Sequence, residues 1–252
     1  MKLKLFASSL CIAVLLLVAP PLLHAQANDA QLQSRAQKTL EAKRFHNIHV
    51  AAHNGTVLLS GSVNYFSDKV DAEKRVKKVD HNVAVVNTLQ VDTPEVPNAK
   101  LEEKLVGDIN NSRVGYGTTA FNAISVSVQG NGVVVLGGYA YGPVDASTAF
   151  NIAANTKGVR EVINRIHVDP PSPQDDRIRR MVYRAIYLRA PQLNRYALNP
   201  VKPIRIQVEN GHVILFGAVD SKSDKEVAGI QANSVPGVFS VTNNLQVAGQ
   251  EQ

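Results

Sequence analysis

The residues with the clearest chemical potential lie in one late stretch: Arg177, Arg179, Arg180, Tyr183, Arg184 and Tyr187. From Arg177 to Val208 there are eight basic residues and no acid. At 100° per residue, 177 to 189 gathers Ile178, Met181, Val182, Ala185, Ile186 and Leu188 into one arc. The opposite arc holds the four arginines and two tyrosines, Arg177 among them. Arginine interleaved with tyrosine suits an anionic membrane interface, where charge meets phosphate and phenol rings sit at headgroup level. The competing reading is an ordinary solvated face, or one that packs on a neighbouring part of the chain.

Other chemistry finds little support. His46, His49, His53 and His81 would have to converge at about 2 Å from one ion to hold a metal. His49 and His53 are four residues apart on an extended stretch, roughly 13 Å at ~3.3 Å per residue. Solvated polar-face histidines are the better reading, and no metal is expected. Cys11 is the only cysteine, and no G-x-S-x-G elbow occurs. Gly115-Tyr116-Gly117 is followed by a strand pattern, which rules out a phosphate-binding fingerprint. Glu102-Glu103 and Asp175-Asp176 sit near helix starts, where acids complement the helix dipole, so both read as capping. No catalytic set assembles, and nothing calls for a cofactor or small-molecule substrate.

The N-terminus reads as a leader. Lys2 and Lys4 precede an apolar run, Leu5 to Val18, and Ala25-Gln26-Ala27 fits a small-residue cleavage site. That run is too short for a transmembrane span. Leu10 before Cys11 is wrong for a lipoprotein site, so residues 1–27 read as a cleavable signal peptide on a periplasmic protein. The remainder has no cysteine and must rely on packed cores instead of disulfides. Its Lys and Arg number 25 against 21 Asp and Glu, a net charge of +4.

What positions the arginine stretch is a repeat. Asn54–Val63 (NGTVLLSGSV), Asn131–Ala140 (NGVVVLGGYA) and Asn210–Val219 (NGHVILFGAV) share one pattern. Asn-Gly tolerates the positive φ angles of a tight hairpin, and an apolar strand follows. A glycine closes each run seven positions after the Asn: Gly61, Gly138 and Gly217. These glycines should permit a bend or a close backbone approach. An alternating stretch precedes each hairpin, such as Ile204, Ile206 and Val208. Helical periodicity flanks it, as in Leu32, Ala36 and Leu40. The order is α-β-β-α-β, three times, over residues 28–93, 98–169 and 174–248. Thr93–Pro97 and Asp169–Pro173 read as stiff linkers. A polar insertion, Asn110–Asn122, is peculiar to unit 2.

A second signature ends the later units: Gly158-Val159-x-x-Val162-x-Asn164-x-Ile166-x-Val168, and Gly237-Val238-x-x-Val241-x-Asn243-x-Leu245-x-Val247. Unit 1 keeps Val85, Asn87, Leu89 and Val91 but has His81-Asn82 in place of Gly-Val. His and Asn visit the left-handed region more readily than most residues, so the same turn is expected there under strain.

With the hairpin pattern, this signature resembles the BON domain of bacterial envelope proteins, including osmotically induced periplasmic ones. The resemblance covers nearly all the chain after the leader. It implies an α+β fold of three tandem αββαβ domains, each with two helices on one face of a three-stranded sheet. It makes Gly158 and Gly237 structural glycines beside the hairpin three. It also implies a non-enzymatic role in osmotic or envelope stress, attached to anionic phospholipid surfaces or envelope partners. The alternative is a protein-interaction scaffold or chaperone-like factor for envelope proteins. A nucleic-acid partner is not expected, because the chain reads as exported and has no basic G-x-x-G loop.

Overall fold

The structure, a computed structural model, describes residues 22–249. Of the expected leader, residues 1–21 lie outside the described residues.

Unit 1 contains α1 (Leu22–Thr39), β1 (Ile48–His53), β2 (Thr56–Val63), α2 (Phe66–Lys77), β3 (Ala84–Asn87) and β4 (Gln90–Val91). Unit 2 repeats the order with α3 (Asn98–Asn111), β5 (Ala123–Gln129), β6 (Val133–Ala140), α4 (Pro143–Ala154), β7 (Glu161–Asn164) and β8 (His167–Val168). Unit 3 follows with α5 (Pro173–Arg184), β9 (Ile204–Glu209), β10 (His212–Val219), α6 (Lys222–Asn233), β11 (Ser240–Asn243) and β12 (Gln246–Val247).

In each sheet the apolar outgoing strand of the hairpin lies in the middle. β2 pairs antiparallel with β1 and parallel with β3 and β4, and β6 and β10 do the same. The central strand alternates sharply: Val57 and Leu59 are fully buried under the helices, while Leu58 between them faces out. The helices answer with small residues at the contact, Ala36, Ala72 and Val76 in unit 1 and Ala149 and Ala153 in unit 2. Small side chains let helix and sheet approach closely without voids.

The third ribbon is broken where a single strand was expected, and the signature Asn is the cause. Asn87 Oδ1 accepts from Leu89 N at 3.2 Å, while its Nδ2 donates to Lys69 O of α2 at 3.0 Å. Asn243 does the same with Leu245 N at 3.2 Å and Lys225 O at 2.7 Å. The amide folds the chain on itself and staples the kink to the helix above. The residue two positions after it, Leu89 or Leu245, is thereby turned into the core.

The hairpin turns form as their sequence requires, with φ of 49° at Asn54, 55° at Asn131 and 52° at Asn210. Gly61, Gly138 and Gly217 have φ of 105°, 76° and 108°. A Cβ there would lie 2.0 Å from Asn47 O, 2.0 Å from Ala123 O and 1.9 Å from Pro203 O. Both reasons for glycine therefore hold. Gly158 and Gly237 also take positive φ, but His81 does not. The turn of unit 1 is built differently: Asp80 Oδ1 accepts from Asn82 N, and Asp80 O accepts from Val83 N. No left-handed strain arises at His81.

Two further expectations are corrected. The proline stretches are not plain spacers. Thr93 is buried, its Oγ1 accepting from Gly158 N at 2.7 Å, and Arg160 donates to Val91 O and Thr93 O. Asp169 is 4% exposed and bonds into unit 3. The Asn110–Asn122 insertion likewise serves unit 3, burying Thr119 and Ala120 in the seam.

Candidate membrane-facing surface

α5 begins where Ser172 Oγ accepts from Asp175 N at 3.2 Å, with Pro173 in the first turn. The Asp175 carboxylate has a different task from capping. It accepts from Asn210 N at 3.0 Å and Gly211 N at 2.8 Å, clamping the hairpin turn of its own unit. Asp29 holds Asn54 N and Gly55 N of unit 1 in the same way, and those two amides lower its pKa. Glu102 also reaches across, accepting from Val128 N at 2.9 Å. These three helix acids are struts between helix and hairpin.

The arginine–tyrosine arc divides into an exposed part and a buried part. Arg177, Arg180 and Arg184 are exposed, with Arg189 beyond them. Among the described residues none of the four has an acidic partner. Arg179 is 2% exposed, which corrects its expected place on the outer face. It donates to Asp169 at 2.7 Å and to Val208 O at 2.9 Å, pairs with Asp176, and lies 4.9 Å over the Tyr141 ring. Unit 2 covers it. Burial pushes the Asp169 carboxyl up, opposed by the Gln207 hydrogen bond and the Arg179 charge.

Tyr187 is the second correction, being 1% exposed. Its hydroxyl donates to Ile204 O at 2.6 Å and accepts from Ile204 N at 2.9 Å. Burial drives the phenol well above its ordinary value. The cause is a π-turn at Ala185–Arg189, which follows α5. An i→i+5 turn winds through a smaller angle per residue than an α-helix. The 100° wheel therefore fails after Arg184. Tyr187 turns inward, and Leu188, expected inside, is 59% exposed. Tyr183 is half-buried, its ring 5.9 Å from Phe121 of unit 2 and 4.8 Å from Tyr187. Tyr183 thus covers a neighbouring unit, as the competing reading held, while Tyr187 is bound into unit 3 itself.

What remains is an open basic ridge ending in a groove of about 220 Å³. Met181, Arg184, Ala185 and Arg189 form one wall, and Gln231, Ser234, Val235 and Pro236 the other. The guanidinium groups of Arg184 and Arg189 share this groove with apolar Met181, Ala185 and Val235 and polar Gln231 and Ser234.

Sequence reasoning missed a set of three buried aspartates, Asp68, Asp145 and Asp224, in the first turn of the second helix of each unit. Each meets an arginine from the link between first helix and first strand: Arg44, Arg113 and Arg195. Burial raises the pKa of Asp68 against the Arg44 charge. At Asp224 burial is outweighed by hydrogen bonds from Ser221, Gln192 and Tyr196 and by Arg195, so its pKa falls. The signal was an Asp seven residues after each hairpin glycine. The histidines do not converge, and no cluster of three metal-binding side chains occurs among the described residues. No helix of the described residues is long and apolar enough to cross a membrane.

These features define a class, a tandem array of αββαβ modules joined by buried polar seams. The BON domain model matches residues 28–93, 98–170 and 174–249, and the chain belongs to the BON domain family. None of the curated proteins matches it. Among solved structures it is similar to the C-terminal domain of CdsD, a structural protein of the type III secretion system of Chlamydia trachomatis. That domain is 13% identical at a TM-score of 0.24, with 90% of this chain and 97% of that chain covered. The PrgH periplasmic domain is 10% identical at a TM-score of 0.21, with 84% and 98% covered.

Proposed function

We propose that the protein is a non-enzymatic periplasmic envelope protein that binds anionic phospholipid surfaces through Arg177, Arg180 and Arg184, with Arg189 at the groove. One observation carries the reading: four guanidinium groups stand exposed on one ridge of unit 3 with no acidic partner among the described residues. Unit 3 also holds ten Lys and Arg against six Asp and Glu between residues 174 and 248. Near an anionic leaflet each base contributes about 1 kcal/mol. Exposed Leu188 beside Arg189 supplies an apolar contact at the same edge. The direct experiment is co-sedimentation of the protein from residue 28 with two vesicle types, at low and high salt. Phosphatidylcholine vesicles with added phosphatidylglycerol should bind it and release it as salt rises. Indifference to both lipid charge and salt would favour the scaffold reading.

A further inference from the structure

The seam between units 2 and 3 holds a narrow, partly open cavity of about 10 Å³, enough for one water molecule or one ion of similar size. Asn110, Arg113, Thr119, Asn122, Asp145 and Arg205 supply its polar lining. The charges there do not balance. Arg113 stands 2.7 Å from the Asp145 carboxylate, so those two charges cancel. Arg205 has no carboxylate: it donates to Thr119 O, to Asn122 O at 3.4 Å and to Asn110 Oδ1 at 3.1 Å. Among the residues lining the cavity one net positive charge is left. Arg113 Nε, although close to Asp145, makes no hydrogen bond and is buried.

We propose that this cavity is a site for one monatomic anion of chloride size, held between the guanidinium groups of Arg113 and Arg205. An unbalanced charge in a partly dry seam is costly, and a neutral water molecule cannot offset it. Burial already pushes the Arg205 pKa below its ordinary value, against the influence of Tyr187, as expected of a cation short of a counter-charge. The narrow volume favours a monatomic ion over sulfate, phosphate or a carboxylate. Asp145 does not repel the ion decisively, because Arg113 and Asn122, whose Nδ2 lies at 3.0 Å, engage its carboxylate. The ion ties the unit 2 insertion to β9, so the seam tightens as halide concentration rises.

Two measurements on the chain from residue 28 test this. The first compares melting temperatures in sodium chloride and sodium gluconate at equal ionic strength, for the parent and for Arg205→Gln. Chloride should raise the melting temperature of the parent above its gluconate value, by equal steps per tenfold chloride once the site is mostly filled. The variant should lose that chloride-specific increment. The second is anomalous scattering from bromide-soaked crystals of the parent, which needs no variant to fold. A peak between Arg113 and Arg205 is the expected result. A chloride increment identical in parent and variant, or water alone in the cavity of the bromide crystals, would overturn the proposal.

Discussion

Arg179 and Arg180 are adjacent in the chain, carry the same group, and stand in opposite environments. Arg179 is enclosed by Asp169, Asp176 and the Tyr141 ring, whereas Arg180 meets solvent. Truncating Arg179 to Ala leaves Asp169 buried without its cation, a loss of about 3–5 kcal/mol. Arg180→Glu should change stability by less than about 0.5 kcal/mol. Chemical denaturation of both variants measures the contrast, and equal effects would contradict the assignment. Tyr187 gives a pH dependence. Its folded pKa is raised, so its contribution is fully present below the ordinary tyrosine pKa of about 10 and is lost as pH rises above it. In that alkaline window stability should fall by about 1.4 kcal/mol per pH unit for this one group. Tyr187→Phe should be less stable at neutral pH and show a shallower alkaline decline in denaturation curves.

At the scale of elements, the hairpins and their glycines were legible because their geometry is local. Asn-Gly demands positive φ, and Gly217 has a neighbouring carbonyl where a Cβ would go. Gly217→Val should accordingly destabilise the protein by about 1–3 kcal/mol in thermal unfolding. The arginine helix was legible in its first three turns except at Arg179, which unit 2 covers, and illegible afterwards, since a π-turn has no periodic signature of its own. The clamp by Asp175 was hidden for another reason. A first-turn acid satisfies the dipole argument wherever its carboxylate points, and only the folded chain shows it reaching a hairpin 35 residues away. Asp175→Ala should speed hydrogen exchange at Asn210 and Gly211 while leaving Asn54 and Gly55 protected. Unchanged exchange at both turns would show that the clamp carries no stability.

Across the whole molecule, the polar residues divide between joining the units and facing outward. Asp169, Arg179, Gln207 and Arg205 are spent on the seam between units 2 and 3. Thr93, Gly158 and Arg160 join units 1 and 2. The proline stretches looked like spacers because composition reports stiffness and not contact. What is left over in unit 3 is the ridge of Arg177, Arg180, Arg184 and Arg189, which pairs with no acid among the described residues. The claim that this ridge holds the anionic surface is tested most directly by vesicle co-sedimentation of Arg180→Glu/Arg184→Glu beside the parent. Both side chains are exposed, so the fold should persist, as circular dichroism would check. With two charges reversed at about 1 kcal/mol per base, affinity for phosphatidylglycerol-containing vesicles should fall more than tenfold. A folded double variant that sediments as fully as the parent would contradict the account.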